Sequence, residues 1–213
     1  METSLNSTKS LIIKAALGIF AQKGFKGATV REICAAADQS VGAINYHFRD
    51  KQGLYEAVTQ ALLEELMLNT SPEPQNSSTM QPEARLHFLV TSFLKRFGML
   101  FDGGDNGQRA IFMLREILNP SADFTRLFLS FQAWQKDYLL RIISDLTGCR
   151  PESPEVARSA ISIIGQCFHF VFGRRLFGLL GMEASQAKEI SKCAEHIVKF
   201  SLGGVKAVTG AKK

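Results

Sequence analysis

Residues Thr29 to Tyr55 read Thr-Val-Arg-Glu-Ile-Cys-Ala-Ala-Ala-Asp-Gln-Ser-Val-Gly-Ala-Ile-Asn-Tyr-His-Phe-Arg-Asp-Lys-Gln-Gly-Leu-Tyr, and this stretch decides the fold. It divides into two short helices and the start of a third. Thr29 precedes the first, where its hydroxyl can accept one of the backbone N–H groups that a first turn leaves unpaired. Ile33 and Ala36 give that helix a narrow apolar stripe. Asp38, Gln39 and Ser40 then make a turn, with Ser40 placed to cap the second helix, Val41 to Phe48. The second helix has one thin apolar edge, Ile44 and Phe48, four residues apart on one face. Its other side carries Gly42, Asn45, Tyr46 and His47. A helix of about eight residues does not hold itself together in water. Neighbours must hold it by Ile44 and Phe48, which leaves the polar side outward. Helix, tight turn, and a second helix showing small and hydrogen-bonding side chains is the helix-turn-helix plan for the major groove of duplex DNA.

The flanking sequence supplies those neighbours. A helix from Ser7 or Thr8 to Lys23 presents Ile12, Ala15, Ala16, Ile19 and Phe20 on one face, and Gly24 stops it. Phe25 and Val30 join Ile33, Ile44, Phe48, Leu54 and Val58 in a small core. Asp50 caps a fourth helix running to about Asn69. The segment from Asn69 to Pro82 is rich in Ser, Pro and Asn and is the clearest linker in the chain. Beyond it helical stripes alternate with breakers: Pro82 to Leu100, Gln108 to Leu118, Ala122 to Leu146, Glu155 to Leu180, and Ser185 to Gly203. No strand pattern and no internal repeat is found. The expected fold is therefore all-α. It has an N-terminal three-helix helix-turn-helix domain over residues 1–55, a connecting helix and linker over 56–82, and a larger C-terminal helical domain over 83–213.

Composition narrows the classes further. The chain has 213 residues and 16 Phe, enough for a real core. No apolar run is long enough for a membrane span, and Met1 to Ser10 lacks the basic-then-apolar order of a signal peptide, so a cytoplasmic location with no membrane partner is expected. Cys34, Cys149, Cys167 and Cys193 are far apart with no metal-ligand spacing, and three of them fall within helical patterns as small hydrophobes. The net charge is +5 at a pI near 9.1. Seven basic residues against four acidic ones leave +3 over the first 51 residues, which suits nucleic acid as the partner of that region.

The run Thr29-Val30-Arg31-Glu32-Ile33, the string Ser40 to Phe48 with Lys51 and Leu54 behind it, and Ala15 to Phe25 ahead of it closely resemble the DNA-binding domain of TetR-type transcriptional repressors. Where many members of that family carry a lysine, this chain has Val41. On the residues alone, Gly42 lets the backbone approach the groove floor, Asn45 suits the adenine edge, and Val41 and Ala43 suit thymine methyls. Gln39 and Ser40 flank the helix within reach of base or backbone. The resemblance implies phosphate contacts at Tyr46, His47, Lys51 and Thr29. The expected partner is double-stranded operator DNA. A weaker resemblance, over Arg115 to Ser121, is to the C-terminal domain of the CecR-type subgroup.

The penultimate helix is apolar nearly all round, with Gly165, His169, Gly173 and Leu176 on one side and Ile161, Ile164, Phe168, Val171 and Arg175 on another. A homodimer through the last two helices explains this, with Ile161, Gly165, Phe172, Leu176, Ile190, Ala194 and Ile197 at its interface; the alternative is an internal core helix. Phe112, Trp134, Tyr138 and Phe168 could line an apolar effector pocket. Arg115, Glu116, Gln132, Gln166 and His169 would supply its polar groups, or satisfy one another. The function expected is a dimeric repressor released from DNA by a small-molecule effector. The alternatives are a DNA-binding dimer without a ligand and, further off, an enzyme using Glu116 and His169. No catalytic residue, metal or cofactor is expected, because no phosphate loop, nucleophile elbow or ligand cluster is present in the sequence.

Overall fold

The computed structural model describes residues 2–68, 74, 76–101, 107–173 and 187–209. Among the described residues the regular structure is helical throughout: α1 Glu2–Gly27, α2 Val30–Ala37, α3 Val41–Phe48, α4 Lys51–Leu68, α5 Pro82–Gly98, α6 Gln108–Leu118, α7 Ala122–Thr147, α8 Pro154–Phe172 and α9 Ala187–Thr209. Short 3-10 turns at Ser77–Thr79 and Met99–Phe101 complete it. The all-α expectation, with a helix-turn-helix at the front, is what the structure shows.

The chain forms two compact units, Met1–Met67 with Met99–Phe131, and Leu68–Gly98 with Gln132–Lys213. In the first, Ile12, Ala16 and Phe20 of α1 are buried with Ile33, Ile44, Leu54 and Val58, and Phe112 and Met113 of α6 join them. Tyr55 is the aromatic centre, with its ring 4.8 Å from Phe20, 5.1 Å from Phe25 and 5.3 Å from Phe112. α6 packs on α1 beside Gly18, where a Cβ would lie 2.7 Å from Gln108 Oε1, the movable end of that side chain.

In the second unit, α5, α8 and α9 pack on one another. Leu86, Val90, Leu94, Tyr138, Ile142, Ile163, Cys167, Ala194 and Ile197 fill its interior. Phe93, Phe97, Phe168 and Phe172 form a ring cluster, with centroids 4.4 Å apart for Phe93–Phe97 and 5.4 Å for Phe168–Phe172. Burial pushes the Cys167 thiol up to about 12, so it is an inert apolar filler.

Three local expectations need correction. α1 starts at Glu2, and Gly24 (φ 70°, ψ 175°) breaks it before one further turn. On α2 the buried set is Ile33, Cys34 and Ala37, with Ala36 exposed, because the stripe follows i, i+1, i+4. α9 does not stop at Gly203 but continues to Thr209. Ser201 and Val205, one turn apart and both buried, anchor it across the glycine pair.

Candidate nucleic-acid interface

The interface is built from the caps upward. Glu32 N–H donates to Thr29 Oγ1 at 3.2 Å, and Thr29 N–H and hydroxyl donate to Glu32 Oε2 at 3.0 and 2.9 Å. This is a closed capping box. Lys23 then pairs with Glu32, and Lys23 first, then Thr29, hold that carboxyl below its ordinary range. Asp38 turns the chain in the left-handed region (φ 52°, ψ 46°), where a short polar side chain is tolerated. Ser40 Oγ accepts from Ala43 N–H at 3.2 Å and starts α3.

α3 rests on buried Ile44 and Phe48. Val41, Gly42, Asn45 and Tyr46 are exposed, Tyr46 by 75%, while Gln39 and His47 are half-buried. The His47 ring lies edge-on to Tyr46 at 5.0 Å. A Cβ on Gly42 would meet only Ser40 Oγ at 3.5 Å, so nothing in its own chain requires glycine there. The short helix thus has one face held and one free.

The exit from α3 is tightly made. Arg49 takes φ 73°, ψ −51°, and Asp50 N–H donates back to Phe48 O at 2.9 Å, a γ-turn that non-glycine residues adopt only under strain. Gly53 N–H donates to Asp50 Oδ1 at 2.8 Å, and this bond keeps the Asp50 carboxyl below its usual range. Lys51 is not simply a phosphate contact. Its Nζ donates to Phe25 O at 2.9 Å and Ala28 O at 3.0 Å and lies 4.5 Å from the Phe25 ring, which leaves one donor for a phosphate. Thr29 likewise has its hydroxyl engaged at the cap.

The expected effector residues are divided between the two units. Phe112, Arg115 and Glu116 belong to the first unit, and Tyr138, Gln166, Phe168 and His169 to the second. Arg115 donates to Ala21 O at 2.8 Å and Gln22 O at 2.9 Å and fastens α6 to the end of α1. Glu116 is buried, accepts from the Tyr55 hydroxyl, and accepts from Ser121 N–H at 3.1 Å and Ser121 Oγ at 2.7 Å. Burial and that carboxylate raise the Tyr55 hydroxyl well above its ordinary value. Phe112 packs on Tyr55. These three are therefore structural ties within the first unit. His169 is exposed, and Gln166 donates to Ser201 Oγ at 3.2 Å, linking α8 to α9. Tyr138 is buried and Phe168 belongs to the ring cluster. The side chains of Gln132 and Trp134 lie outside the described residues.

The expected dimer residues also divide. Ala194 and Ile197 are 0% exposed in the single chain, so they fill their own core and face no partner. Ile161, by contrast, is 70% exposed, and Gly165 is exposed. Ile190 and Phe172 are half-buried, and Leu176 lies outside the described residues. Sequence reasoning missed the Tyr55–Glu116–Ser121 chain, whose members are up to 66 residues apart with no local signal. It also missed Phe200 of α9, exposed by 65%, whose type alone suggests core. Among the described residues no helix is long and apolar enough to cross a membrane, and no group of His, Cys, Asp and Glu could hold a metal.

Residues 12–58 match the profile of bacterial regulatory proteins of the tetR family, and residues 82–205 match that of the C-terminal domain of the HTH-type transcriptional dual regulator CecR. Over 171 residues the chain is 28% identical to CecR of Shigella flexneri, covering 78% of this chain and 76% of that one. Over 137 residues it is 32% identical to the "Probable HTH-type transcriptional regulator YttP" of Bacillus subtilis (strain 168), covering 64% of this chain and 63%, just under two thirds, of that protein. The crystal structure of HlyIIR, a hemolysin II transcriptional regulator, superposes with a TM-score of 0.62 at 17% identity, over 92% of this chain and 97% of that one, which supports the fold. With its helix-turn-helix in front and the CecR-type domain over most of the remainder, the chain belongs to the TetR-type transcriptional regulators.

Proposed function

We propose that the protein acts as a two-fold dimer that seats α3 in successive major grooves of an operator and represses transcription there, until a small molecule bound in the second unit releases it. The observation that carries the reading is the division of α3 into a held face and a free face. In this reading Asn45 reads an adenine edge, Val41 and Ala43 meet thymine methyls, and Gly42 keeps the backbone close to the bases. Tyr46, His47, Gln39 and the caps at Ser40 and Thr29 meet the phosphate backbone, helped by the N-terminus of α3. Lys51 contributes its remaining donor.

Dimerisation is supported by apolar side chains that one chain leaves bare on α8 and α9, Ile161, Ile164, Phe200 and Val208. A two-fold pair would place the reading helices about 34–36 Å apart, one turn of DNA. Release follows if the effector binds better to a conformation with the wrong spacing, and DNA affinity then falls reciprocally. The aromatic cluster of Phe93, Phe97 and Phe168, in the same unit as buried Tyr138, favours an apolar effector.

The test is fluorescence anisotropy with labelled duplexes from the region upstream of the protein's own gene. Binding should be sequence-dependent and fall steeply with salt. Asn45→Ala should cost about 1–3 kcal/mol on the specific duplex and little on a scrambled one. Equal loss on both duplexes, or no salt-sensitive binding by the native protein, would refute the reading.

A further inference from the structure

Arg49 closes α3, and its N–H still donates to Asn45 O at 3.0 Å, so its Cα keeps the helical position. The exposed face of α3 runs through Val41 and Gly42, then Asn45 and Tyr46, and Arg49 stands one turn beyond Asn45 on the same line. Its side chain is 84% exposed. The guanidinium makes one hydrogen bond, from Nε to Oδ2 of the neighbouring Asp50 at 3.3 Å, which leaves both terminal nitrogens without one. Asp50 is itself fixed, since Gly53 N–H donates to its Oδ1 at 2.8 Å. The fork is thus steadied at its inner nitrogen and free at its tip, the form that grips two oxygens of a phosphate at once. The backbone beneath it is strained. At φ 73°, ψ −51° the backbone crowds a Cβ, whereas glycine takes the same turn freely. An exposed pair with Asp50 contributes little to offset that strain. Within its own chain, then, arginine is a poor residue for this turn, and what offsets the strain lies outside the chain.

We propose that Arg49 is a phosphate clamp: its guanidinium takes the oxygens of one phosphodiester where α3 leaves the major groove, and the strained turn and Asp50 aim it there. This rests on the DNA-binding reading above and adds a residue outside the contacts named there. Asn45 and Val41 meet base edges in that reading, while Arg49, at the end of the same face, meets the sugar-phosphate backbone beside them. Its contact fixes the position of α3 and carries no sequence information. Lys51 is less suited to the same task, because it gives two of its donors to the Phe25 and Ala28 carbonyls. Stability of the turn and affinity for DNA then oppose each other at residue 49. Glycine there makes the free protein more stable and the complex weaker.

The test uses the full-length chain, with anisotropy titrations on a specific and a scrambled duplex and thermal melts followed by circular dichroism. Arg49→Ala should weaken both duplexes alike, about fivefold to tenfold, and lower the slope of log affinity against log salt by about one. Arg49→Gly should weaken them as much and yet melt above both the native protein and Arg49→Ala, although glycine loses the most freedom on folding. Specific duplexes that each carry one uncharged methylphosphonate linkage separate a contact from mere charge. At one linkage the native protein should lose affinity and Arg49→Ala should lose none further. If the native protein and Arg49→Ala are equally sensitive at every linkage, the clamp is overturned. Unchanged binding by Arg49→Ala overturns it too, as does a loss confined to the specific duplex, which would make Arg49 a base reader. An Arg49→Gly protein that melts below Arg49→Ala shows the turn to be unstrained and overturns the proposal on that side. In all these cases the native chain binds and only the role of Arg49 falls. A native chain that binds neither duplex overturns the DNA-binding reading itself.

Discussion

At the scale of single residues the reading domain depends on a few polar atoms that set helix ends. Glu32 is the most instructive, since it closes the box with Thr29 and pairs with Lys23. Its folded pKa lies below the ordinary 4.5, with Lys23 the first cause and Thr29 the next. A carboxylate depressed in the folded state stabilises above its unfolded pKa, and loses that contribution as pH falls through the folded value. At neutral pH, Glu32→Gln should therefore melt below the native protein. The gap should close as pH drops below 4.5, because the native protein then loses what the variant already lacks. Thermal melts followed by circular dichroism across that range check this; a gap independent of pH would count against it. Glu56 has the opposite sign. Burial first, and Asp123 beside it next, raise its pKa, so ionising it costs stability as pH rises.

At the scale of elements the junction of α3 and α4 is the most constrained place in the reading domain. A Cβ on Gly53 would lie 2.1 Å from Phe48 O, a backbone atom that closes the γ-turn at Arg49 and cannot swing aside. Gly53→Ala should thus destabilise the fold by about 2–3 kcal/mol, although alanine is the better helix former. Urea titration of the two proteins measures the difference, and an unchanged or higher midpoint would show that α4 can move away from α3 freely. α6 is the other element with a decisive role. Its consecutive residues Arg115 and Glu116 hold α1 at Ala21 and Gln22 and α4 at Tyr55, which fastens it into the same unit as the reading helices. Ser121 adds the first turn of α7 to the same network, with Phe124 N–H donating to its hydroxyl at 3.1 Å.

At the scale of the whole molecule, the proposed dimer has a thermodynamic consequence beyond its interface. If unfolding requires dissociation, the folded state gains stability by mass action and Tm rises with protein concentration. A hundredfold dilution of the native chain should lower Tm by several degrees, given about 2.7 kcal/mol for a hundredfold change in partner concentration. Calorimetry at two concentrations measures the shift, and a Tm independent of concentration would count against the dimer.

Much of this was legible in the residues themselves. The caps at Thr29, Ser40 and Asp50, the stop at Gly24 and the held edge of Ile44 and Phe48 all act within a few residues, so their order along the chain suffices to place them. The all-helical class and the split of α3 into two faces follow from the same short-range periodicity. Other features required the folded chain. That Arg115 and Glu116 tie helices together, and that Lys51 turns two of its donors onto Phe25 and Ala28, depends on groups 23 to 94 residues away, which no spacing rule encodes. Likewise Ala194 and Phe200 share one amphipathic helix, and periodicity treats both as apolar. Only packing against α5 and α8 turned Ala194 inward and left Phe200 exposed, because which apolar side of a helix is covered is settled by its neighbours in space.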